Sequence, residues 1–525
     1  MDESPVALRS GATATKDAFW LILTAYVSQL FTLGLALLLR RELGPAGMGY
    51  VAVTQLVTTY ASFSSLGALQ AAEREIPIAI ARGDEHEARS LELAGVAVGL
   101  SVAVVACAAL LVIGVIRSST EPLLGAALIC ASLVMLALQV SGWATVRLRT
   151  RLRFRALGWS TALSAVVGSM LAVIGAFVAG AIGALVGVVI AAVFQSVLLA
   201  RVARIGGRTL PAGSTFRHLE ALAPAFFASG AVATLLLSVD QLAVGFTLGT
   251  TSLGLYSAAY LGNSFVLRVP TLIDTVIYPR LQRELGATSN EGRVFALASR
   301  ATDALVITMP LLVATFFVAL PALVFLALPE YRDAIGPMRL LLVGVAGIAF
   351  SMPAANYLMT VNRQWREVGI SGSILAIMAS VYLVAAASGR MSLEVAAGVD
   401  AVGYLGFGVV MQVAAYRAAG QPASQLLRFV PMLVLPMLEL LVAAVVADIV
   451  VPRLDPTGVI LRAGIQAALF SVTWATLAWI YLRAHHDSRG DLLMVTGLIG
   501  RTARRIWTAA RRASTKDFGD SGPKA

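Results

Sequence analysis

The chain is poor in the side chains a water-soluble catalyst needs. Charged residues make up only 13% of its 525 positions, about half the share usual in soluble domains. It has two cysteines, Cys107 and Cys130, both inside apolar runs. They read as small core hydrophobes, which excludes a disulfide framework and a thiolate metal site. The four histidines, His86, His218, His485 and His486, fall in or beside polar connections without metal-ligand spacing, so neither a metal nor a cofactor is expected. The polar gaps on one side of the apolar stretches are all short, leaving no room for a catalytic domain there.

What fills the chain instead is hydrocarbon. Hydrophobic residues reach 58% and the mean hydropathy is +0.82. Fourteen apolar stretches follow one another, at 18–39, 48–71, 93–116, 122–145, 157–179, 181–200, 222–246, 254–278, 302–328, 337–361, 369–388, 394–416, 429–450 and 460–482. A bilayer core takes about 20 helical residues to cross, and only helices or closed barrels satisfy their backbone inside it. The expected fold is therefore an all-α polytopic membrane protein of about 14 transmembrane helices. The first stretch is long enough to remain a spanning helix, so no cleavable signal peptide is expected.

Charge supplies the orientation. With the N-terminus placed in the cytoplasm, the cytoplasmic gaps and both tails hold 31 of the 40 Lys and Arg residues, external gaps hold eight, and Arg268 lies inside a span. That asymmetry predicts a multi-pass protein of the cytoplasmic (inner) membrane with both termini cytoplasmic. It also accounts for the net charge of +11 through anionic membrane lipids, without nucleic acid. The basic tail RTARRIWTAARRASTK reads as a short amphipathic helix on that lipid surface. Arg40 and Arg41, at the external mouth, read as interface anchors.

One local repeat stands out. LLRRELGPAGMGYVAV follows the first span and VGFTLGTTSLGLYSAA the seventh. Each has a Leu-Gly pair and a second glycine five residues on, Gly44 and Gly49 in one, Gly249 and Gly254 in the other, then an aromatic, Tyr50 or Tyr256. Glycines there permit a sharp turn and close helix packing, and transporters are often built from repeated halves.

These stretches, with IYPRLQRELG after the eighth span and EREIPIAIARGDEHEAR after the second, resemble the polysaccharide and lipid-linked oligosaccharide flippases of the MOP (multidrug/oligosaccharidyl-lipid/polysaccharide) superfamily. The resemblance covers roughly residues 15 to 420. It implies two six-helix bundles related by a pseudo-twofold axis around a central cavity, here 18–203 and 222–416, joined by a cytoplasmic linker at 204–221. Tails at 1–17 and 483–525 and two added helices at 429–482 complete the chain. The implied cargo is a polyprenyl-pyrophosphate-linked glycan, and the implied partners are a polysaccharide polymerase and export proteins. The lipid II branch of the family has several cavity arginines, including some in helices one and two. This chain has none there, which points to a different lipid-linked substrate or to weaker headgroup contact.

A charge inside a bilayer costs roughly 2.5 kcal/mol or more, so each one is a candidate. By helix rise Asp240 lies about 9 Å below the external end of span seven and Arg268 about 21 Å below that of span eight. Arg268 is the candidate ligand for pyrophosphate, since guanidinium binds phosphate oxygens through paired N–H groups; pairing with an acid or reaching the headgroups is its alternative. Asp240 is read as facing the outer cavity, as a cation or sugar-hydroxyl ligand, with pairing to Arg268 the alternative. Asp274, Arg280 and Asp303 read as a gate or interface group, and Glu439 as a coupling acid or a packed neutral one. Gln29, Thr32, Gln55, Asn263 and Asn356 are candidate contacts for sugar hydroxyls, or interhelical hydrogen bonds. Pro224, Pro270, Pro310, Pro353 and Pro436 lie within spans and are expected to bend helices.

The functional expectation is a flippase, not an enzyme. The alternatives are a drug or metabolite antiporter of the same superfamily, or a membrane enzyme of glycan assembly, for which only Glu330, Asp333, Glu394 and Asp400 stand near the external face. The topology is checked by reporter fusions: those after residues 85, 150, 290 and 500 should report cytoplasm, and those near 250 and 332 the outside. Opposite locations for the two termini would overturn the two-bundle reading.

Overall fold

The computed structural model describes residues 11–81, 83–151, 153–204, 213–429 and 456–484, with isolated positions between 435 and 442. Among these residues every regular element is helical. The extreme N-terminus, residues 205–212 of the 204–221 linker, most of the thirteenth span and the basic tail lie outside the described residues.

The first two predicted spans are one continuous helix, α1 (Gly11–Thr59), broken at Gly44, where φ is 63°. Pro45 follows the break and suits the first turn of the resumed helix, where its missing N–H leaves no bond unmade. A 3-10 turn (Tyr60–Ser65) and two left-handed residues, Leu66 and Gly67, lead into α2 (Ala68–Ala81). Asp84 caps α3 (Glu85–Ser118) by accepting from the Glu87 N–H, with Glu85 and Glu87 in the first turn facing the positive end of the helix dipole. After α4 (Pro122–Thr150), the fifth and sixth spans form α5 (Phe154–Ala203), kinked at Ala179–Gly180.

The seventh span consists of α6 (Gly213–Leu236) and the start of α7 (Val239–Val266), which meet at a 50° bend; α7 is itself broken at Gly249, φ 84°. Then come α8 (Arg268–Thr288), α9 (Glu291–Ala327), α10 (Ile335–Thr360), α11 (Gln364–Ala387), α12 (Leu393–Ala418) and, beyond the incompletely described thirteenth span, α13 (Pro456–Ala484). Seven described helices are long and apolar enough to cross a membrane, or eight when α6 and α7 count as one bent span.

α1, α3, α4 and α5 pack together, as do α7, α9, α10, α11 and α12. The two groups meet along α1 with α7 and α2 with α6, while α13 lies on α9, where the Trp474 indole donates to the Ile307 carbonyl at 3.2 Å. The outer faces are apolar: Val105, Val112 and Ile116 of α3 and Leu383 and Val384 of α11 are exposed. Such surfaces suit hydrocarbon. At the arginine-rich end, Arg147 pairs with Glu92 at 2.8 Å, Arg149 with Glu73 at 3.2 Å and Arg151 with Glu85 at 3.2 Å. That basic connection therefore also ties α4 to α2 and α3.

At the opposite end the repeat glycines bring the two groups together. A β-carbon on Gly49 would overlap the Thr250 carbonyl, and one on Gly254 would overlap the Pro45 carbonyl oxygen. The two copies of the motif thus pack into each other, each requiring its second glycine because the other's backbone occupies the space. Gly44 and Gly249 have a different need, the positive φ of the breaks.

Gly254→Ala should therefore lower the melting temperature of the detergent-solubilised protein, with a destabilisation on the order of 1–3 kcal/mol as for other overpacked sites. Gly230→Ala, in a helix with nothing within 4 Å of the added carbon, should be neutral or stabilising. Equal melting of both variants would refute the tight contact.

Candidate functional site

The bend in the seventh span has a local cause. The Ser238 hydroxyl donates back to the Thr234 carbonyl at 2.6 Å, a bond that competes with the helix ladder and bends helices. The carbonyls of Leu236 and Leu237 then accept from tyrosines on other strands of the chain's path: Tyr404 of α12 reaches Leu236 at 3.3 Å, and Tyr260 of α7 reaches Leu237 at 3.2 Å. A helix broken inside a bilayer needs such replacements for its backbone acceptors.

The break starts α7 in the interior of the protein and places Asp240 in its first turn, where the helix dipole favours negative charge. Asp240 is fully buried, and its Oδ2 accepts from the Tyr260 hydroxyl at 2.7 Å. Beside it, within reach of the Asp240 carboxyl, lies the carboxyl of Asp400 on α12, also fully buried. Asp400 Oδ1 accepts from the Tyr382 hydroxyl of α11 at 2.6 Å. Tyr256 completes the enclosure, its buried hydroxyl beside the Asp240 carboxyl but outside hydrogen-bond geometry. One oxygen of each acid, Asp240 Oδ1 and Asp400 Oδ2, has no donor.

Two carboxyls in contact, ringed by phenols and with no paired cation among the described residues, form an all-oxygen site. A proton or a small hard cation between the orphan oxygens is what such a donor set accommodates. Among the described residues no group of three or more His, Cys, Asp or Glu gathers that could hold a metal ion.

The bend also touches the other helix group. The Tyr60 and Ser238 hydroxyls lie 2.7 Å apart, the Phe63 and Phe227 rings pack edge to face with centroids 5.9 Å apart, and Gly67 abuts the Ala223 carbonyl. A second buried acid, Glu367 at the start of α11, accepts from Ser229 of α6 at 3.0 Å and from Ser371 at 2.8 Å. The sequence reading passed over Glu367 and placed Asp400 only among the acids near the external face.

The structure separates the sequence candidates. Asp240 lies in a closed core and not on an open cavity wall, because α11 and α12 cover it with their tyrosines. Arg268 begins α8 as an exposed residue with no ion pair among the described residues. Ser264 and Thr271, four residues before it and three after it, are exposed, and so are Gln55 and Thr59 on α1. Asn263 is buried with its Oδ1 unpartnered. Asn356 donates to Asp274, beside a small crevice between α8, α9 and α10; Asp274 is thus tied to an amide and not to Arg280, which is exposed. Asp303 is buried on α9. The Thr32 hydroxyl donates to the Gln29 carbonyl at 3.0 Å within α1. Glu439 accepts from Thr473 of α13 at 2.8 Å and keeps its Oε2 unpartnered.

Asp400 was within reach of the sequence. Counted from the external end of the twelfth predicted span it sits about 9 Å deep, the same depth as Asp240 in the seventh. Equal depth was the available signal. Contact between the two helices was not, and on charge alone Asp400 looked like an external acid.

A family model described as polysaccharide biosynthesis protein matches residues 14–284. No curated relative matches the chain. Among solved structures, the lipid II flippase MurJ in an inward closed conformation is similar with a TM-score of 0.64 at 12% identity, over 88% of this chain and 99% of that one. An inward-facing multidrug resistance MATE family transporter of the MOP superfamily is similar with a TM-score of 0.59 at 13% identity, over 76% of this chain and 98% of that one. The folded architecture is therefore that of MOP transporters.

The tyrosine geometry predicts a contrast. Tyr260→Phe leaves Asp240 Oδ2 and the Leu237 carbonyl without their donor and should destabilise by about 1–3 kcal/mol, read as a lower melting temperature in detergent. Tyr256→Phe, which removes a hydroxyl outside hydrogen-bond geometry, should lower it less. The reverse order would refute the hydrogen-bond assignment.

Proposed function

The chain belongs to the polysaccharide biosynthesis protein family, and from that premise we propose that it is a flippase carrying polyprenyl-pyrophosphate-linked oligosaccharide units across the cytoplasmic membrane by alternating access. Its product would be exopolysaccharide, capsule or another cell-surface glycan, handed to a polymerase and export proteins. The observation that carries the reading is Arg268, an exposed cation within the eighth predicted span, without a counter-ion among the described residues and flanked by exposed hydroxyls. Lipid does not tolerate such a surface, whereas a water-filled path between the helix groups does. There, two parallel N–H groups meet the pyrophosphate while Ser264, Thr271, Gln55 and Thr59 face the sugar hydroxyls.

Asp240 and Asp400 have a separate role. They hold the coupling proton or cation, whose occupancy is linked to the bend that joins the two helix groups. A drug or metabolite antiporter is the second reading, favoured by the same buried acid pair, since cation exchange needs only that site. The basic tail would rest on anionic lipid.

Arg268→Ala should abolish polysaccharide export without changing the amount of protein in the membrane, and Arg268→Lys should restore part of it because charge remains while the paired donors are lost. Asp240→Asn should stop export with Arg268 intact. Normal export by Arg268→Ala would remove the pyrophosphate assignment. Loss of drug resistance with export preserved would favour the antiporter.

A further inference from the structure

The external mouth holds a cation that burial makes costly. Arg40 is only 6% exposed, and among the described residues no carboxylate pairs with it. Its Nη1 donates to the Ala36 carbonyl of its own helix at 3.2 Å, and its Nη2 crosses to α7, donating to the Ser257 carbonyl at 3.0 Å with Ser257 Oγ at 3.4 Å. The Nε–H is buried and makes no hydrogen bond. Guanidinium has five N–H donors, all of which water would satisfy. Here neutral oxygens serve some of them, and the charge is left uncompensated.

The same residue sits at the joint between the helix groups. Tyr331, buried in the turn between α9 and α10, donates to the Arg40 carbonyl at 3.2 Å. Four residues on, Gly44 breaks α1, and just beyond it the interlocked glycines Gly49 and Gly254 close the mouth by backbone contact. In this arrangement contact between α1 and α7 holds Arg40 out of water. Arg41, its neighbour, is exposed in the same arrangement. The sequence reading of Arg40 as an interface anchor is corrected accordingly.

We propose that Arg40 is a gating residue that loads the external gate toward opening: its unpaired charge makes the glycine-locked closed state marginal, so the mouth opens within the transport cycle instead of remaining sealed. The role rests on the alternating-access reading but not on any substrate. Burying a charge without a paired counter-charge is costly, so the charge, and not the packing volume, is what favours release.

The test uses the full chain with Cys107→Ala, Cys130→Ala and Ser257→Cys, which keeps the Ser257 backbone acceptor. A membrane-impermeant maleimide is added from the outside. Arg40→Met should slow labelling of position 257 roughly tenfold, as expected for removing a buried unpaired charge, and should not lower the melting temperature. Arg40→Lys, still a buried cation, and Arg41→Met should label at the parent rate. Faster labelling of Arg40→Met would show that the residue clasps the gate shut and would overturn the proposal, as would an unchanged rate. Failure of Arg40→Met to fold would overturn it too, since the charge would then be required for stability. Labelling needs no glycan, so a failed export assay for Arg268→Ala or Asp240→Asn leaves this result standing, and the converse holds.

Discussion

Hydrocarbon supplies neither donors nor acceptors, so each place where a spanning helix breaks must bring its own replacements. The rest of the structure follows from how the chain meets that requirement. At Gly44 and Gly249 the breaks fall at the mouth, where positive φ turns the backbone and the adjoining segments press together through Gly49 and Gly254. At Leu237–Ser238 no glycine is present. The break is made by a serine bonding back along its helix, and phenols from α7 and α12 reach the freed carbonyls.

Those phenols bind the break to the acids. Tyr260 serves the Leu237 carbonyl and Asp240 together, so the shape of the bend and the state of the carboxyl share one hydroxyl. Two residues before Asp240, Ser238 meets Tyr60 from the other helix group. An event at the acids therefore has a short covalent and hydrogen-bonded route to the contact between the groups. The mouth is linked differently, through backbone packing and one buried guanidinium. The two ends of the α1–α7 seam thus rest on different physics, polar bonding at one and steric fit with an uncompensated charge at the other.

The legibility of the site varied with the kind of signal. Asp240 and Arg268 were visible because a charge inside an apolar run is conspicuous whatever surrounds it. Asp400 was equally deep but stood near a span end, where acids are ordinary, and its significance comes from a partner 160 positions earlier in the chain. Arg40 was misread for the same reason. A basic residue at a membrane interface is normally an anchor, and only the approach of Ser257 and Tyr331 removes its water. Asn263 and Asn356 looked alike in sequence, yet one is a buried amide with an orphan oxygen and the other holds Asp274.

The sequence by itself determined that this is an all-helical membrane protein, because hydropathy acts residue by residue, and the resemblance of its motifs to a known family implied the MOP transporter fold. It also placed turns at the repeat glycines, with breaks observed at Gly44 and Gly249, since glycine's freedom is a local property. Tertiary structure alone decided that Asp240 and Asp400 share one site, that tyrosines from three helices enclose it, and that Arg40 is buried without a counter-charge. Each of these depends on which helix faces come into contact. Helical periodicity sets only which residues share a face; the packing of all the helices together sets what that face meets.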